Sequence, residues 1–228
     1  MSRNKEEVVT RMMLTPSAEL QVRETEEGTP ERIISGYSIL FNVPSVPLWA
    51  DEEEEAREII SPSAITRELL DACDIKFTMF HDRQLILARS NKGAGTLSYR
   101  VDEKGVYFEF EVPNTMDGDK AVELVRRGDL AGCSFAFTTH YWDDAFVKRS
   151  VNVVDGVAHI TYTVQTITSI RDFTLAADPY YQETSAAVRE FTRELRELSR
   201  PTEPAKDMAK INEQLRDMRR AATTGIIV

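Results

Sequence analysis

The run Gly128-Asp129-Leu130-Ala131-Gly132-Cys133-Ser134-Phe135-Ala136-Phe137-Thr138-Thr139 converts a helix into a strand. Arg126 and Arg127 followed by Gly128 are helix-ending signals: cations suit the negative end of a helix, and glycine accepts the left-handed backbone that closes it. Beyond Gly132 the pattern alternates, with Cys133, Phe135 and Phe137 on one face and Ser134, Ala136 and Thr138 on the other. The Phe face is expected to join the core. The opposite face carries small residues, where a peptide could approach the Ser134 hydroxyl. A serine in such a place is most often an ordinary strand residue, so its chemistry depends on its neighbours.

Working upstream, residues 119–127 read as a helix with Ala121, Leu124 and Val125 inward. Residues 96–101 and 105–112 form a hairpin across Asp102–Gly105, and 89–95 a loop. Residues 74–81 alternate Ile75, Phe77 and Met79 with Lys76, Thr78 and Phe80, a buried strand ending at His81-Asp82. Ser61-Pro62 is an N-cap with proline at the first helical position, which predicts a short helix over 62–72. Residues 43–58 read as a loop whose acidic run, Asp51 to Glu55, is a solvated face. Residues 32–42 and, more weakly, 18–23 are strands.

Downstream, the Ser134 strand is expected to run towards Phe146. Asp155-Gly156 marks a hairpin turn, and 157–168 and 172–177 are strands. Two charged helices, 183–198 and 205–222, follow around Pro201 and Pro204. The first is amphipathic through Val188, Phe191, Leu195 and Leu198. The expected organisation is a flexible N-terminus over 1–15, a domain over 16–182 and a charged helical tail over 183–228. The fold class is α+β: a mainly antiparallel sheet or barrel with a few surrounding helices.

The chain has 228 residues, 42% hydrophobic and 29% charged, the composition of a soluble globular protein. The net charge of −10 argues against nucleic-acid binding, which works by neutralising phosphates. Residues 183–222 hold eight acidic and nine basic side chains, so the negative charge belongs to the rest of the chain. No apolar run approaches a membrane span, and Met1 to Glu7 lacks the apolar core of a secretory signal. Two cysteines, Cys73 and Cys133, are too few for a disulfide framework, which fits a reducing, intracellular setting.

Only three histidines, His81, His140 and His159, are available for acid–base work. A lone histidine on a strand is more often structural than catalytic. No metal-ligand spacing occurs, and Lys92-Gly93-Ala94-Gly95 lacks the lysine and serine that complete a phosphate loop, so neither metal nor cofactor is expected. Nucleophilic catalysis remains. A serine needs a base within hydrogen-bond reach, and the base needs a partner that fixes its tautomer. Cys133 is intrinsically the better nucleophile, but strand neighbours point to opposite faces, and Cys133 goes with the phenylalanines.

Five segments in order resemble the tailed-phage prohead protease family, similar in fold to the herpesvirus assemblin serine proteases. They are Gly36-Tyr37-Ser38-Ile39-Leu40-Phe41-Asn42, Glu58-Ile59-Ile60-Ser61-Pro62-Ser63-Ala64-Ile65, His81-Asp82, Leu124 through Phe137, and Asp172-Phe173-Thr174-Leu175-Ala176-Ala177-Asp178-Pro179-Tyr180. Together they cover about residues 32–190. The resemblance implies a nucleophile at Ser134, a base at His81 and a third member at Asp172, with His159 as runner-up because the assemblin relatives use a histidine there. Ser63 and Ala136 stand where the family often has glycine, and Asp172 stands for glutamate. The shorter aspartate must sit closer to its partner. The oxyanion donors are left to backbone N–H groups or Arg171.

The resemblance further implies a serine endopeptidase of capsid maturation, acting inside the procapsid in the host bacterial cytoplasm. Its partners would be the major capsid protein and its scaffolding segment. Autoproteolysis and self-association are further expectations; nucleic acid and membranes are not expected partners. The alternatives are an inactive assembly protein of the same fold, and an unrelated esterase or amidase. The missing Gly-x-Ser-x-Gly elbow counts against the last.

Overall fold

Two rows of side chains, running across strands that are far apart in sequence, set the architecture. The computed structural model describes residues 9–15, 18–24, 30–177, 193 and 195–197. The strands, in chain order, begin with β1 (Val9–Thr15), β2 (Gln21–Glu24), β3 (Pro30–Leu40), β4 (Trp49–Ala50) and β5 (Glu54–Ile60). A 3-10 turn (Pro62–Ala64) and α1 (Arg67–Ala72) lead to β6 (Asp74–Met79), β7 (Asp82–Asn91), β8 (Ala94–Gly95), β9 (Ser98–Val101) and β10 (Gly105–Glu111). Then come α2 (Met116–Arg127), β11 (Gly132–Thr139), β12 (Val147–Val154), β13 (Val157–Val164) and β14 (Ser169–Ala176). The order in the first sheet is β1-β11-β14-β6-β7-β8; in the second, β2-β3-β10-β9; in the third, β12-β13-β5-β4. Pairing is antiparallel except for β14 with β6 and β13 with β5. The class is α+β, and these strands form open sheets rather than a closed barrel. By packing, the chain divides into units 1–184 and 185–228. Most of the second lies outside the described residues, as do residues 1–8 of the N-terminus expected to be flexible over 1–15. Residues 9–15 correct that expectation: they form β1, held in the first sheet by antiparallel pairing with β11.

Phe135, Phe173 and Phe77 lie side by side on β11, β14 and β6. All three are buried. Phe77 packs its ring against Phe108 and Phe110 of β10, with centroids 4.5 and 4.6 Å away, so the first two sheets meet through this aromatic layer. One residue along, Ser134, Thr174 and Thr78 form a parallel row on the opposite face. The order Ser-Phe in β11 and Phe-Thr in β14 and β6 makes both rows at once, because side chains alternate across a strand.

The helix-to-strand switch before Ser134 forms as the sequence predicts. Thr115 caps α2 by accepting from Gly118 N–H (3.1 Å). Gly128 closes it at φ +79°, with its N–H on Val125 C=O. The 62–72 helix, however, is broken. Ser61 caps only the 3-10 turn, Ile65 is extended and buried, and Thr66 starts α1 with a second cap. The 43–58 loop is corrected too. Glu54 to Ile60 is an interior strand with Ala56, Glu58 and Ile60 buried. Its acidic composition hid that alternation. Residues 89–91 belong to β7 rather than to a loop. The Ser134 strand stops at Thr139, after which His140 packs edge-on against Phe146 (4.6 Å) and β12 begins at Val147.

Candidate active site

His81 owes its position to a strained turn. Met79 pairs with Asp82 across a two-residue loop, Phe80-His81, and both loop residues have positive φ (57° and 56°). Such a turn matches the twist of a hairpin but favours Asn-Gly; a residue with a side chain costs about 1–2 kcal/mol there. Here the strain is opposed by hydrogen bonds. Phe80 N–H donates to Leu175 C=O (3.1 Å). His81 N–H donates to Thr174 Oγ1 (2.9 Å), which in turn donates to Thr78 C=O (3.0 Å) and accepts from the Thr78 hydroxyl (3.0 Å). Thr78 and Thr174 are buried, so the network is shielded from water.

The turn brings His81 onto the hydroxyl face of the first sheet. Its Nε2 lies 2.9 Å from Ser134 Oγ and its Nδ1 2.7 Å from Asp172 Oδ1. Ser134 pairs with Thr174, and Asp172 pairs with Ala136, two residues along β11. The two are therefore diagonal neighbours on adjacent strands, a span of about 7–8 Å between Cα atoms. One imidazole bridges it. A carboxylate accepts hydrogen bonds only, so the Nδ1 contact assigns the ring proton to Nδ1 and leaves the Nε2 lone pair for the serine hydroxyl. Ser134 is 4% exposed, while the His81 and Asp172 side chains are 23% and 13% exposed. The serine is thus mostly desolvated, and the histidine is the most exposed of the three.

Three residues from three strands or turns converge on one proton path, in the chain order His, Ser, Asp. A family model described as Caudovirus prohead serine protease matches residues 18–198. The chain belongs to that family. Among solved structures it is similar to the one titled the bacteriophage T4 capsid assembly protease, gp21, with 12% identity over 75% of this chain and all of that one. The TM-score is 0.38, so no detail is transferred from it. No curated protein matches.

In this prohead protease family member the other sequence candidates lie elsewhere. His159 is exposed on β13, in the third sheet, paired with Asn152 and Glu55. Arg171 is the extra residue of a β-bulge, since Ala136 pairs with Asp172 while Phe137 pairs with Ile170, and it is exposed. Cys133 is fully buried on the phenylalanine face, and burial pushes its thiol far above the ordinary value. Among the described residues there is no cluster of three or more potential metal ligands, and no helix long and apolar enough to cross a membrane. The sequence reading passed over Thr78 and Thr174. Their signal was present: Thr174 follows Asp172 by two, and Thr78 falls in the same row once the strands are paired.

Proposed function

We propose that this protein is an active serine endopeptidase, with Ser134 as nucleophile, His81 as general base and Asp172 as the group that orients the imidazole. The observation that carries this reading is the hydrogen bonding of both His81 ring nitrogens, one to a hydroxyl and one to a carboxylate. In the acylation step Ser134 Oγ attacks the scissile carbonyl carbon and His81 Nε2 takes its proton. Asp172 stabilises the imidazolium that forms, and the same proton then goes to the departing amine. Water repeats the sequence to release the acyl group.

Membership of a prohead protease family supports a substrate inside the assembling capsid. We assign the scaffolding segment of the major capsid protein as that substrate, the protease itself as a second one, and the procapsid as the setting. Residues 16–182 form the protease domain in this reading, completed by β1 (Val9–Thr15), which pairs with the Ser134 strand. The tail over 183–228 docks on scaffold helices or is itself cut away.

Intact-mass analysis of purified protein over time, with and without the scaffolding segment, tests the assignment. Time-dependent truncation is expected in the wild type. Ser134→Ala and His81→Ala each lower the rate by about 10⁴-fold or more, since members of a catalytic triad act as a unit. Cleavage of neither substrate by folded wild-type protein would leave a non-enzymatic assembly protein as the reading.

A further inference from the structure

The outer edge of the third sheet carries an apolar stripe with no strand paired against it among the described residues. β12 pairs on one side only, with β13. Its register continues the rows of the core face: Val151 lies beside Ile160 and Ala56, and Val153 beside Ala158 and Glu54. Ile160 and Ala56 are buried. Val151 and Val153 are 45% and 65% exposed. Natural proteins usually blunt such an edge, since its free main-chain groups are a template for another strand.

We propose that this edge is a homodimer interface, in which β12 pairs antiparallel with β12 of a second copy about a two-fold axis at Asn152. Asp155 and Gly156 both have positive φ (50° and 88°) and form the two-residue loop between β12 and β13. The residues closing such a loop, Val154 and Val157, bond to each other, and the pattern alternates from there. Ser150, Asn152 and Val154 therefore turn their main-chain groups towards β13, while Arg149, Val151 and Val153 turn theirs outward. A two-fold axis normal to the sheet keeps each face on its own side, so only residues two, four or six apart can meet, or a residue its own copy.

Charge and shape then select the centre. With the axis at Asn152, Val151 meets Val153 of the second copy and Arg149 meets Asp155. Centres at Ser150 or Val151 set Arg149 against a valine, and a centre at Val153 sets Val151 against Asp155. Only the Asn152 register pairs apolar with apolar and cation with anion, and it does so twice by symmetry. An unrelated extended peptide could use the same main-chain edge, but it would have no reason to match this self-complementary order. The outcome is one continuous sheet built from the third sheets of two copies.

Cysteine trapping in full-length protein, in a Ser134→Ala background to prevent self-cleavage, tests the register. Directly opposed residues that are not hydrogen-bonded have Cα atoms about 4.5 Å apart, within disulfide range. Cys73 and Cys133 are buried and do not interfere. Asn152→Cys is expected to form a disulfide dimer under mild oxidation. Ser150→Cys, which faces Val154 of the second copy, is not. Sedimentation should show a concentration-dependent dimer that Val153→Lys abolishes without altering the circular dichroism spectrum. Equal trapping at both positions, a monomer at every concentration, or a dimer indifferent to Val153→Lys overturns the proposal. Binding of an extended capsid segment to monomeric protein, lost in Val153→Lys, would overturn it in favour of that partner.

Discussion

Thr174 holds the histidine without touching its ring. Its hydroxyl accepts the His81 N–H and the Thr78 hydroxyl and donates to Thr78 C=O, so all its hydrogen-bonding capacity is used in one buried place. Thr174→Val keeps the volume and removes the oxygen, leaving two donors unsatisfied at about 1–3 kcal/mol each. The strained His81 backbone then relaxes, and a shift of about 1 Å in the base is enough to lower kcat by about 10²-fold. KM should stay near wild type, and Thr174→Ser should restore activity to within a few-fold. Equal loss in the Val and Ser variants would point to methyl packing instead. A second residue-scale expectation concerns the thiols. Cys133 is fully buried with its thiol pushed well above the ordinary value, and Cys73 is buried with its sulfur accepting from Ile170 N–H. Iodoacetamide at mildly alkaline pH should modify neither in folded protein and both after denaturation. Mass spectrometry reads this directly, and a native adduct at Cys133 would contradict the assignment of faces on β11.

At the scale of elements, β6 and its hairpin tip show two phenylalanines with opposite duties. Phe77 is fully buried against Phe108, Phe110 and Phe173, whereas Phe80 is 48% exposed at the turn. Phe77→Ala should lower unfolding free energy by about 3–5 kcal/mol. Phe80→Ala should change it by less than about 1 kcal/mol. Denaturant melts at constant m-value measure both, and comparable losses would mean that the aromatic layer does not join the first two sheets. The Ser134 strand could be read in advance because its alternation is regular and a helix cap fixes its start. Strand β5 could not, because Glu58 occupies a buried position that an apolar pattern marks as polar. The bulge at Arg171 left a fainter trace: Ile170 and Phe173 are both buried yet three apart, where strict alternation allows two. His81 and Asp172 were legible as a pair only through resemblance, since neither the positive-φ turn at Phe80-His81 nor the parallel pairing of β14 with β6 has a local sequence signature.

For the whole molecule, two joints carry carboxylates held ionised, one between α1 and the second sheet and one between the neighbouring strands β6 and β7. Asp71 of α1 is kept below the usual carboxylate range by the Arg67 guanidinium and by the hydroxyl of Tyr99, which lies on β9 of the second sheet. Asp74 at the start of β6 is depressed further, by Arg89 of β7 and then by Lys76. A carboxyl whose folded value is depressed contributes stability that is fully present above its unfolded value, about 3.9. That contribution is lost as pH falls through the folded value. The thermal midpoint should therefore be insensitive to these groups from neutral pH down to about 5, and should fall below about 4. Both carboxylates are partly solvent-exposed, which screens the effect and keeps each contribution modest. Asp74→Asn separates this local cause from general acid unfolding. It should melt lower than wild type at neutral pH, and the two curves should converge as pH approaches the folded value of Asp74, because protonation removes from the wild type what the substitution has already removed. Parallel curves across the whole acid limb would show that the Asp74–Arg89–Lys76 cluster does not couple folding to pH, and that the β6–β7 joint rests on the main-chain ladder and the phenylalanine layer alone.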